Sequence, residues 1–103
     1  MRKEKGVFVL DSKEMKESKF DGVMVSKIDV SQQMKHCIIA QKCFYDDNGK
    51  YQKKDITVIS FEKDELNVET LIKIVRTIVK AMKPEEKKIP EIAISEDVMQ
   101  LIK

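Results

Sequence analysis

The chain has no tryptophan, one histidine, two cysteines and three glycines, and only six of its side chains are aromatic. Each scarcity closes off a class of protein. With so few rings, a hydrophobic core must rest on Val, Ile, Leu and Met. No apolar run approaches the roughly 20 residues that cross a bilayer as a helix, so no membrane partner is expected. Gly6-Val7-Phe8-Val9-Leu10 is too short for a signal-peptide core, and Asp11 and Lys13 end it. A cytoplasmic location follows as the expectation.

The same scarcities bear on catalysis. Gly6, Gly22 and Gly49 lie far apart, which leaves no glycine-rich loop to cradle a phosphate. His36 adjoins Cys37 in a segment that reads as a strand. Neighbours on a strand point to opposite faces, so the two cannot act together as base and nucleophile without help from elsewhere. Zinc needs about four clustered ligands, and the chain offers at most His36, Cys37 and Cys43, with no Cys-x-x-Cys pair. Asp46-Asp47-Asn48-Gly49 looks superficially like a calcium loop but lacks its alternating ligands and closing glutamate. No metal, no cofactor and no catalytic residue are expected, and the chain reads as a non-enzyme. Cys37 and Cys43 sit six apart on one strand, roughly 20 Å at about 3.3 Å per residue, too far to bridge.

What is present points to one folded domain over residues 1–103. Apolar residues make up 42% and charged residues 37% of the chain. That apolar content supports one core without disulfides or metals, and argues against wholesale disorder. The net charge of +2 is small. Its halves differ: residues 1–54 carry 12 basic and 8 acidic side chains, residues 55–103 carry 8 and 10. The first half is basic and the second acidic, which would favour the first as a polyanion site.

Hydrophobic periodicity predicts an α+β fold. Val7–Leu10 reads as a short strand and residues 11–20 as a loop or ragged strand. Asp21-Gly22 signals a turn. Residues 23–30 are β-branched and partly alternating, and 36–45 form the next strand. Asp46-Asp47-Asn48-Gly49 is the strongest turn signal; Asn-Gly favours positive φ at both central positions of a tight hairpin. Residues 50–54 and 56–61 complete an antiparallel meander, within a sheet of three to five strands. Leu66, Leu71, Ile72, Val75, Ile78, Val79 and Met82 then recur at helical spacing. Asp64 or Asn67 can cap that helix, and Pro84 stops it. Residues 83–91 read as a charged linker. Residues 89–95 form a further short strand, and Ser95 caps a terminal helix over 96–103.

Basic and aromatic side chains mix around the hairpin: Lys42, Phe44 and Tyr45 before the turn, Lys50, Tyr51, Lys53 and Lys54 after it. Single-stranded nucleic-acid grooves use this mixture, cations tracking phosphates while rings stack on bases at about 1–3 kcal/mol each. The alternative is that Phe44 and one tyrosine are core, while the lysines only solubilise the sheet edges.

The run from Ile38 to Lys54, followed by Ile56–Phe61 and the helix, resembles the positive-cofactor-four family of transcriptional coactivators. The shared pattern is an aliphatic strand ending in aromatics, an acidic-Gly turn, a basic return strand, a short strand and a helix. It spans about residues 36–82. The resemblance implies a curved antiparallel sheet followed by a helix, a homodimer, and single-stranded DNA bound on the sheet. Phe44 or Tyr45 would stack, and Lys53-Lys54 would be the basic pair. Asp55 stands where the family usually has glycine, Lys42 matches the family's basic position only approximately, and residues 85–103 have no counterpart.

The sequence therefore leads first to non-catalytic binding of single-stranded nucleic acid, DNA before RNA, by a homodimer with a role in transcription. The alternative is a small protein-interaction module or regulator, of the kind phages and mobile elements carry, docking a host protein through a sheet edge or the 66–82 helix.

Overall fold

The computed structural model describes residues 2–28, 35–62, 64–82 and 91–102. It is the expected α+β fold, built on one six-stranded sheet. The elements in chain order are β1 (Arg2–Glu4), β2 (Val7–Leu10), α1 (Ser12–Glu17), β3 (Gly22–Ile28), β4 (Lys35–Tyr45), β5 (Tyr51–Glu62), α2 (Val68–Met82), β6 (Ile92–Ser95) and α3 (Glu96–Leu101). The order across the sheet is β1-β2-β6-β3-β4-β5.

The expected meander is β3-β4-β5, antiparallel throughout. It is not the whole sheet. The last strand, β6, inserts at the centre and runs parallel to both β2 and β3. The sheet is therefore mixed. Ile92, Ala93, Ile94 and Ser95 are all buried, as a central strand covered on both faces requires.

Two clusters of buried side chains separate the faces. On one, called the helix face, Leu71, Ile72 and Val75 of α2 and Val98 and Ile102 at α3 pack on Val7, Val23, Val25, Ile38, Ala40, Phe61, Ile92 and Ile94. On the other, the open face, a smaller cluster joins Leu10, Phe20, Met24, Cys43 and Ala93, with Phe8, Met15 and Tyr51 around it. Each fully buried aliphatic contributes about 1.5–3 kcal/mol, so the helix face carries most of the stability.

Local chemistry explains the elements and corrects several expectations. Residues 12–17 are a helix rather than a loop. Asp11 caps it: the Glu14 amide donates to Asp11 Oδ1 at 2.8 Å, and Glu14 Oε1 accepts from the Asp11 amide at 3.2 Å. This reciprocal pair is a capping box, and it holds the Asp11 carboxyl below its ordinary range. Of the two candidate caps for α2, Asn67 serves, accepting from the Thr70 amide at 2.8 Å. Asp64 instead takes a positive φ of 69° in the connection. Ser95 caps α3 as expected, accepting from the Val98 amide. The stop at Pro84 and the linker, apart from Glu91, lie outside the described residues, as do Asp29 and Val30 of the strand predicted over 23–30.

The β4–β5 hairpin is not a two-residue turn. Gly49 takes φ +78°, whereas Asn48 does not enter the positive region. The Gly49 amide donates to Asp46 O at 2.9 Å and the Asp46 amide to Lys50 O at 2.8 Å. That is a three-residue loop closed by a left-handed glycine. The tight turn with positive φ at both central residues is Lys5-Gly6, between β1 and β2, at 51° and 83°. The predicted break near Asp55 is a bulge within one twelve-residue strand: Ala40 faces Thr57 while Gln41 faces Asp55, leaving Ile56 extra.

Candidate interaction surface

Residues directly opposite in an antiparallel ladder share a face, and neighbours alternate. Lys42 lies opposite both Lys54 and Val23, and Val23 belongs to the helix-face core. Lys42, Phe44 and Lys54 therefore lie on the helix face. Cys43 belongs to the open-face core and is opposite Lys53. Lys53, Tyr45 and Tyr51 therefore lie on the open face. Lys50 is in the loop. The seven residues expected to make one basic and aromatic surface are close in space but divided between the two sides of the sheet.

Their immediate contacts use up part of the chemistry. The Lys42 ammonium stands 5.7 Å from the centre of the Phe44 ring. Tyr45 and Tyr51 meet edge to face at 5.4 Å. The Tyr51 hydroxyl donates to the Phe20 carbonyl, tying the hairpin to the segment before β3. Burial and then the neighbouring Cys43 push the Tyr51 hydroxyl above its ordinary pKa. Only Tyr45, 48% exposed, offers a largely free ring. The lysines are also interleaved with acids. Asp46 accepts from the Asn48 and Lys50 amides at 2.9 Å and from Gln52 Nε2 at 3.0 Å, bonds that hold its carboxyl below the usual range. Asp55 accepts from Gln41 Nε2 at 2.8 Å. Four lysines face Asp46, Asp47 and Asp55 across this region, leaving one net positive charge.

The open face changes character along the meander. At its Gly22 end Phe20, Met24, Cys43 and Tyr51 cover one another. Farther along, the ladder sets Ser26, Ile39 and Val58 in one row and Ile28, Cys37 and Ser60 in the next. Among the described residues no helix crosses these rows, since α1 packs beside β2. Val58 is 55% exposed, more than any other large apolar side chain among the described residues. Cys37 Sγ lies 3.4 Å from Ser60 Oγ, and both thiols are free. His36 is on the other side, its ring 5.6 Å from that of Phe61. No three His, Cys, Asp or Glu side chains gather to hold a metal among the described residues.

The outer edge of the sheet is β5 itself. Its two halves differ. Tyr51–Ile56 carries Lys53, Lys54, Asp55 and the bulge, the devices that stop an edge from pairing. Thr57-Val58-Ile59-Ser60-Phe61 carries no charge and runs regularly opposite Ala40 to His36. The alternation of Thr57 to Phe61 in the sequence was visible, but it reads equally well as a covered inner strand. That β5 is the edge follows only from β6 taking the central place beside β3.

No family model, curated protein or solved structure matches the chain.

Proposed function

We propose that this is a non-catalytic interaction module that receives an extended segment of another protein along the Thr57–Phe61 half of β5. The observation that carries this reading is Val58, 55% exposed at the centre of an uncharged, regular edge segment. A strand added there gains main-chain hydrogen bonds from the edge, and its alternate side chains fall beside Val58 and Ser60 on the open face. A tagged chain used as bait in nuclease-treated extract should retain one stoichiometric protein, and Val58→Lys should release it. Equal retention by Val58→Lys defeats the reading.

A second reading keeps single-stranded nucleic acid at the hairpin, supported by the exposed Tyr45 ring with Lys53 on the same face and Lys50 in the adjoining loop. It requires that a labelled oligonucleotide bind, that affinity fall as salt rises, and that Tyr45→Ala weaken it. Binding indifferent to Tyr45→Ala counts against it.

A further inference from the structure

The formal charges place the acidic half of the chain in the helices, yet the outward side of α2 is basic. Lys73, Arg76 and Lys80 fall at intervals of three and four residues and are all exposed. At about 1.5 Å of rise per residue they make a row about 10 Å long. Glu69 continues the row toward the N-terminus, but it is already engaged: Lys5 Nζ lies 3.0 Å from Glu69 Oε1. Lys5, and then Lys73, hold that carboxyl below its ordinary range.

Lys5 reaches α2 because of the Lys5-Gly6 turn. Its positive φ values fold β1 back on β2. A side chain at Gly6 would stand 3.1 Å from Arg76 Nη2, so the Arg76 guanidinium lies over the bare backbone of the turn. Two elements far apart in sequence thus bring Lys5 to the Glu69 end of the Lys73-Arg76-Lys80 row. Among the described residues no carboxylate is within ion-pair distance of Lys73, Arg76 or Lys80. The cluster is left with three uncompensated charges against one at the hairpin. Successive members of the row lie within about one Debye length of each other at 0.1 M salt, so their potentials add.

We propose that the outer face of α2, with Lys5, is a docking surface for the phosphate backbone of a nucleic acid. A linear row of cations suits a linear polyanion, and guanidinium is the side chain best matched to phosphate. On the exposed side the row is bordered by Thr70, Thr77 and Ala81. None is a large apolar group of the kind that enters a bilayer, which favours nucleic acid over an anionic membrane. Contacts would be to the backbone, without base readout. The site is on the opposite side of the sheet from Val58, so it adds to the protein-docking reading and does not compete with it.

The test is fluorescence anisotropy of a labelled single-stranded 20-mer against the full chain, over a salt series. Three uncompensated charges predict that log K falls against log salt with a slope of about −2.1, at ~0.7 per contact on a single strand. Arg76→Gln with Lys80→Gln should cut that slope to about −0.7. Lys13→Gln with Lys16→Gln, on α1 and outside both candidate surfaces, should leave it unchanged. All four positions are exposed, and unaltered thermal melting confirms that each variant is folded. The proposal is overturned by absence of binding at low salt. It is equally overturned if the Arg76/Lys80 pair lowers the slope no more than the Lys13/Lys16 pair does. Binding to phosphatidylcholine vesicles carrying phosphatidylserine, with no oligonucleotide binding, would also overturn it and assign the face to a membrane surface.

Discussion

Ile38 and Ile39 are chemically identical neighbours on β4, and they live in different worlds. Ile38 points to the helix face and is fully buried under α2. Ile39 points to the open face and is half-buried between Ser26 and Val58. One side of the sheet is a core roofed by two helices. The other is a core only where Phe20, Met24, Cys43 and Tyr51 meet, and beyond them it lies open. The difference lies within one sheet: the helix face holds the larger buried core, and the open face beyond Tyr51 is left largely uncovered among the described residues.

The largest expected effect breaks both faces at once. Gly22 begins β3 at φ +153°, and a Cβ there would sit 2.3 Å from the backbone oxygen of Glu91. The Val23 amide donates to that same oxygen, so relief of the clash must part β3 from the start of β6. Gly22→Ala should cost about 4 kcal/mol, at the exceptional end for one substitution, read as a lowered urea midpoint. Separating the faces comes next. Ile38→Ala should cost about 2–5 kcal/mol as a truncation in a closed core. Ile39→Ala should cost under about 1 kcal/mol, because a half-exposed side chain has less to lose and leaves no sealed cavity. Equal costs would show that the open face is covered in solution.

Tyr51 tests the closed part of the open face. Tyr51→Phe removes the hydroxyl that donates to the Phe20 carbonyl and should cost about 0.5–1.5 kcal/mol. It should also change the alkaline limb of stability. Because the folded state raises the Tyr51 pKa, folding favours the neutral phenol. That contribution is complete below the unfolded value of about 10 and is lost as pH rises above it. Melting temperature should therefore fall less between about pH 9 and 11 in Tyr51→Phe than in the native chain. A parallel decline would mean that the phenol is solvated in the folded state.

The helix face was legible in the sequence because its signal is local. The spacing of Leu71, Ile72, Val75 and Ile78, the cap at Asn67 and the cap at Ser95 are each read within one turn of helix. The open face was not. Whether Val58 is covered depends on which strand lies beyond β5, and that depends on β6, more than 30 residues later, pairing with β2 and β3. Alternation alone could not say that Lys42 and Lys53 stand on opposite sides of the hairpin. That required the ladder register, including the bulge at Ile56. The cationic row on α2 was masked for a related reason. Lys73, Arg76 and Lys80 are a local feature of one helix, while Lys5 joins them only through the fold.

The smallest expected effect on stability is the most informative about the open face. Val58→Lys replaces an exposed side chain on an edge strand by the residue that natural edges use to refuse partners. Little apolar contact is lost, because more than half of Val58 already meets solvent. The lysine stem can lie along Ile39 while its ammonium reaches water. Unfolding free energy should therefore shift by no more than about 0.5 kcal/mol. If the open face exists for contact, the same substitution should abolish retention of the bound protein while Ile39→Ala only weakens it. A destabilisation of about 2 kcal/mol, on the scale of a core truncation, would mean that Val58 is packed in solution and that the two faces differ less than their helices suggest.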